Sequence, residues 1–110
     1  MAKLGVLTLS GESGKQYEFN VYNMDTEFNA IGAVYCVSER TESASKSPSH
    51  SKIYIGQTGD LSTRFDNHHK ADCFQQYGAN CISVHKDGDE DSRLKKEKDL
   101  IAAYNLPCND

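Results

Sequence analysis

The chain has 110 residues, a formal charge of −4 at neutral pH and four cysteines. A chain of that length makes one domain, and folding buries roughly two thirds of its extended surface without staples. Acidic residues outnumber basic ones six to four in 1–50 and ten to eight in 51–110, so the chain is no basic nucleic-acid coat and any phosphate-binding surface has to be local.

The elements follow in chain order. Residues 4–9 and 16–22 are β-favouring runs around the turn sequence SGESGK, and Tyr17, Phe19 and Val21 alternate onto one face, which predicts a hairpin. The first run, LGVLTL, is only six residues long and is not a secretory signal, so reduced cysteines and a cytoplasmic location are expected. No apolar run approaches the roughly 20 residues that cross a bilayer, so no membrane association is expected. AIGAVYCV (30–37) is a near-continuous apolar run, as in a strand covered on both faces, and KIYIG (52–56) is its natural partner. Between them SERTESASKSPSHS is rich in serine and has nothing to bury, which predicts a flexible loop over 39–51.

From Asp60, a plausible N-cap, the period becomes helical over 61–69, and Leu61, Arg64, Phe65 and His68 share one arc. A second helix is predicted over 72–77, closed by Gly78, and Ile82 and Val84 alternate in a third main strand over 80–85. Asp91 then caps a last helix over 92–104 that turns Leu94, Leu100, Ile101 and Tyr104 inward, with Glu97 in the same stripe. Arg93, Lys95 and Lys96 of RLKKEK fall on or beside its solvated face.

Two helices thus each aim a charged residue, Arg64 and Glu97, at the sheet. An isolated buried charge costs several kcal/mol, so the two either pair with one another to hold the fold or serve a site. His69, Cys73, Cys81 and His85 have the residue types of a zinc cage. Four residues of extended strand, however, separate the last two by about 13 Å, too far for one tetrahedral ion.

The ordered set AVY (33–35), YIG (54–56), Arg64 ten residues after Tyr54, His68 four later, Glu97 on a late helix and CN near the end resembles the GIY-YIG nuclease family. That family includes the nuclease module of bacterial excision repair, certain homing and restriction endonucleases, and junction cutters. The resemblance runs over 32–109. It implies an α+β domain with a small antiparallel or mixed sheet flanked by helices, in which 1–29 is an N-terminal hairpin extension and 30–109 the catalytic core. It further implies that Tyr35 and Tyr54 are the paired motif tyrosines, Arg64 and His68 the helical pair, Glu97 the ligand of one Mg²⁺ or Mn²⁺, and Asn109 the terminal asparagine.

The implied activity is metal-dependent cleavage of DNA, and nothing in the residues separates DNA from RNA. The chemistry wants a fork for the phosphate, which Arg64 supplies, and a proton acceptor, for which Tyr35, Tyr54 and His68 all qualify. Lys52 and Lys70, together with some of the basic residues of RLKKEK, are candidates for contacting flanking phosphates beside Arg64. Ala33 stands where the motif has glycine, and 19 residues separate Tyr35 from Tyr54, more than the family's usual connection. The motif ends at Asn109 with one residue to follow, so substrate choice is expected from the small domain or from a protein partner. The alternative is a catalytically silent nucleic-acid-binding or scaffolding module on the same fold.

Overall fold

A computed structural model describes residues 3–43, 46–65 and 68–109. Its elements are β1 (Gly5–Ser10), β2 (Gln16–Asn23), β3 (Ala33–Ser43), β4 (Lys46–Thr58), α1 (Leu61–Arg64), α2 (Ala71–Gln76), β5 (Cys81–Lys86) and α3 (Glu90–Ala103). The strands form one antiparallel sheet in the order β1-β2-β5-β3-β4, so the class is α+β. The hairpin β1–β2 joins this sheet through β2, which pairs with β5.

Both faces of the sheet are covered, which is why 33–37 reads as an unbroken apolar run. On one face Tyr35, Val37, Tyr54, Ile82 and Val84 pack with Leu61 of α1 and Phe74 of α2. On the other, Phe19, Val34, Cys36 and Ile55 pack with Leu100 of α3 and with Leu106 beyond it. Asp99 of α3 fastens the β1–β2 turn, accepting from the Ser13 backbone N–H at 2.9 Å, the Ser13 hydroxyl at 2.7 Å and the Tyr17 hydroxyl at 2.8 Å.

Several expectations need correction. The serine-rich stretch is not a loop on either side of the hairpin tip: Glu39 pairs with Ser51, Arg40 with His50 and Thr41 with Ser49. Ladder pairing needs no apolar side chain, and polar cross-strand pairs support it here, with Thr41 and Ser49 hydroxyls 2.9 Å apart and Ser38 Oγ 3.0 Å from His50 Nδ1. Residues 44–45 of the expected loop lie outside the described residues.

The helix expected over 61–69 is one turn, Leu61–Arg64, with Asp60 capping it as foreseen by accepting from the Ser62 N–H at 3.0 Å. Residues 66–67 of that expected helix are outside the described residues. α3 starts at Glu90 and its cap is Asp89, not Asp91. Leu94, expected inward, is 44% exposed, whereas Arg93, expected outward, is 5% exposed.

The cysteines are not all reduced. Cys73 of α2 is disulfide-bonded to Cys108, while Cys36 and Cys81 are free and buried as expected. The bond holds the segment after α3 along the outer edge of β4, where the Cys108 N–H donates to the Ile53 carbonyl at 3.1 Å. That edge is therefore covered rather than left open to another strand.

Candidate active site

The register of β3 against β4 brings the two motif tyrosines together. Tyr35 lies opposite Gly56 and Val37 opposite Tyr54, so both tyrosines face the α1–α2 side with ring centroids 6.0 Å apart. Ser38 then pairs with Lys52, which leaves Ile53 as the extra residue of a bulge beside Tyr54. Gly56 makes room for the cluster: a Cβ there would sit 2.6 Å from the Tyr35 hydroxyl and 2.8 Å from the Tyr54 ring. The glycine of YIG is thus set by a close approach rather than by strand propensity.

The Tyr35 hydroxyl is the node of the site. Arg64 Nε–H donates to it at 2.8 Å and His68 Nε2 lies 2.9 Å from it. The Lys70 backbone N–H donates to His68 Nδ1 at 3.0 Å, which makes Nδ1 the acceptor. The neutral ring therefore carries its proton on Nε2 and donates it to Tyr35. With two donors on its oxygen, Tyr35 directs its own proton elsewhere, and Tyr54 is its neighbour on the sheet, with ring centroids 6.0 Å apart.

Burial pushes the Tyr35 phenol well above the usual range, the Tyr54 neighbour adds to that, and Arg64 opposes it. Burial, followed by the nearby Arg64, His69 and Lys70, lowers His68 to about 4, so the ring is neutral at pH 7. Its one acceptor nitrogen is already engaged. That removes it as the proton acceptor in this arrangement and makes it a donor that holds Tyr35.

Arg64 and Glu97 form no salt bridge among the described residues. Arg64 turns to Tyr35 instead, and its terminal N–H groups have no partner among the described residues. Glu97, on α3, is half-buried; burial raises its pKa, while Arg64 and the Gln57 backbone N–H pull the other way. Among the described residues no three His, Cys, Asp or Glu side chains group as a metal cage.

Arg93, one turn before Glu97, was expected on or beside the solvated face, at most as one of several residues near flanking phosphates, and is buried instead. Its Nε–H donates to Gln57 Oε1 at 3.0 Å and its Nη1–H to the Asp87 carbonyl at 3.1 Å. Gln57 is therefore held to α3 by its side chain through Arg93. The signal in the sequence was Gly32, where a Cβ would lie 2.5 Å from Arg93 Nη1, but a helical wheel does not see it.

The remaining expected residues divide. Asn109 engages β4, its Oδ1 accepting from the Ile55 N–H and its amide donating to the Ile55 carbonyl, both at 2.8 Å, so it acts like one more strand residue beside Tyr54. The structure does not bring Lys52 to the cluster; its ammonium lies 4.9 Å from the centre of the Tyr104 ring, next to the α3 core. Lys70 contributes its backbone N–H to His68. His69 is exposed and stacks on His68, with centroids 4.7 Å apart.

Cavity size alone would point elsewhere. The largest cleft, about 520 Å³, lies between the β1–β2 turn and α3, where mixed lysines and aspartates meet and the Asp99 carboxylate is already occupied. Of the cluster only His68 lines a smaller apolar hollow of about 300 Å³, together with Phe65 and Phe74. Convergent polar groups, rather than either cavity, single out the tyrosine cluster.

No known family matches this sequence, and comparison with curated proteins and with solved structures finds nothing similar.

Proposed function

We propose that the chain is a metal-dependent endonuclease that hydrolyses phosphodiester bonds of DNA, with GIY-YIG-type chemistry. The observation that carries the reading is the convergence of Arg64, His68 and Tyr54 on the Tyr35 hydroxyl above Gly56. These residues were singled out by the resemblance, and a fold that used them only as packing has no need to gather them around one hydroxyl.

The donor chemistry fits one hard divalent cation. Glu97 is a half-buried carboxylate with no salt bridge among the described residues, and its desolvation is the condition that a bound Mg²⁺ or Mn²⁺ relieves. When bound, the ion supplies charge stabilisation on the phosphate and on the departing 3′ oxygen. The Gln57 backbone N–H favours the ionised carboxylate, and Arg93 holds the Gln57 side chain.

Tyr35 is 0% exposed and cannot meet a water, whereas Tyr54 retains 8% exposure. Tyr54, once its own proton has left to solvent, is therefore the residue to take the proton of the attacking water, and the Tyr35 hydroxyl donates to its oxygen while that oxygen carries the charge, before the transfer. Arg64 and His68 keep Tyr35 in that orientation. The unpartnered N–H groups of Arg64 bind a non-bridging phosphate oxygen, where a planar and permanent charge suits the developing negative charge.

The test is cleavage of labelled single-stranded, duplex, flapped and branched DNA at low salt with Mg²⁺, Mn²⁺ or EDTA, by wild type and Glu97→Ala. Metal-dependent cutting by wild type alone is expected. No cutting of any substrate with either metal would contradict the reading and leave a silent nucleic-acid-binding module.

A further inference from the structure

Arg93 is the most buried charged side chain among the described residues, and it lacks a counter-charge. An arginine that serves only to tie a fold together is ordinarily neutralised by a carboxylate, because an unpaired buried charge is expensive. Here both acceptors are neutral: Gln57 Oε1 takes Nε–H and the Asp87 main-chain carbonyl takes Nη1–H. The nearby Asp87 carboxylate is committed elsewhere, to Lys96 at 2.8 Å, the Ser92 hydroxyl at 2.6 Å and the Asp89 N–H at 3.0 Å. Those three donors hold it far below the usual carboxylate range, so it stays ionised and occupied.

The guanidinium is thus pinned along one edge and open at the other. Nη2 has no partner among the described residues and lies on the Gly59 side, 3.5 Å from where a Cβ at Gly59 would be. Two glycines, Gly32 and Gly59, flank the group, and Gly59 leads within five residues to Arg64. Pinning two nitrogens to neutral oxygens fixes the orientation of the fork without cancelling its charge. That arrangement suits an anion that arrives from outside.

We propose that Arg93 is an anion-binding residue that takes a backbone phosphate flanking the one Arg64 receives; the identity of the anion rests on the nuclease reading above. The site supplies a positive charge that the overall −4 of the chain conceals. Each such contact displaces about one condensed counterion from duplex DNA, which gives the residue a measurable signature.

The test needs no catalysis. Binding of fluorescent duplex DNA is measured in EDTA across a salt series for wild type and Arg93→Gln, and the Arg93 Nε–H resonance of wild type is followed by ¹⁵N NMR during titration with dimethyl phosphate. The expected result is that Arg93→Gln weakens binding about tenfold and lowers the slope of log Kd on log salt by about one, while the resonance moves saturably. Equal slopes in the two folded proteins overturn the proposal whatever the resonance does, because a purely structural arginine leaves the salt slope unchanged. If Arg93→Gln does not fold, the resonance decides, and a stationary one overturns the proposal. The two readings fail separately. A moving resonance with no DNA cut under any metal leaves the anion site standing and removes the hydrolytic reading, whereas metal-dependent cutting with equal slopes does the reverse.

Discussion

The two faces of the sheet use their polar groups in opposite ways. On the α3 side each carboxylate that fastens a turn is filled: Asp99 takes three donors from Ser13 and Tyr17, and Asp87 takes Lys96, Ser92 and the Asp89 N–H. On the α1–α2 side the hydrogen bonds converge on one phenolic oxygen and then stop, leaving the outer nitrogens of Arg64 unpartnered among the described residues. Glu97 reaches the end of β4 from the first side but shares the open character of the second. Saturated networks hold structure, and unsaturated ones beside a hollow are where a ligand completes the valences.

The sharpest way to break that contrast is at Glu97. Its folded pKa is raised, so between the unfolded value and the folded one the native state holds the extra proton, and stability falls as pH rises through that window. Above that window the ionised carboxylate is therefore a cost. Glu97→Gln should keep or raise the melting temperature while lowering the single-turnover cleavage rate by about a thousandfold or more. A variant that melted well below wild type would place Glu97 with the structural carboxylates.

Next in size is the Cys73–Cys108 bond, which ties α2 to the segment that clamps Ile55 through Asn109. Cys73→Ser should cost about 2–4 kcal/mol in chemical denaturation, and reduction of wild type should reproduce the loss. Gly56→Ala should cost about 1–3 kcal/mol, because the added methyl overlaps the Tyr35 hydroxyl, and should impair cleavage at temperatures where the protein remains folded. An alanine variant with unchanged melting and cutting would mean that Tyr35 does not lie over Gly56.

The smallest effect is a pH slope. His68 is held near 4 when folded and titrates at its ordinary value near 6.5 when unfolded. Between those values the unfolded chain binds the extra proton, so this contribution to stability is complete above about 6.5 and is lost as pH falls towards about 4. Melting temperatures collected from pH 7 to pH 4 should fall less steeply for His68→Gln than for wild type.

What the sequence made legible is uneven for physical reasons. Apolar run length and β-favouring composition locate the central strands, and Asp60 announces the start of α1. Tyr35, Tyr54, Arg64 and His68 were named through the resemblance, with the helical arc behind the last two, but His68 arrives by a different route from the one expected. α1 ends at Arg64, and the Lys70 N–H, not a shared helical face, orients the imidazole. The serine-rich hairpin was missed because backbone pairing leaves no apolar trace, and the disulfide because cysteine spacing does not encode which pairs meet. Arg93 was hidden by the helical wheel, which ranks Leu94 inward when the acceptors that bury Arg93, Gln57 and Asp87, come from other parts of the chain.

The central claim is that the tyrosine cluster and Glu97 perform chemistry while Asp99 and Asp87 hold the fold. Cleavage rate and melting temperature measured together for wild type, Tyr54→Phe, Tyr35→Phe and Asp99→Asn test it most directly. The account predicts that Tyr54→Phe loses cutting and keeps its melting temperature, that Tyr35→Phe loses both in part, and that Asp99→Asn melts lower yet cuts normally when folded. Tyr54→Phe cutting at the wild-type rate would contradict it.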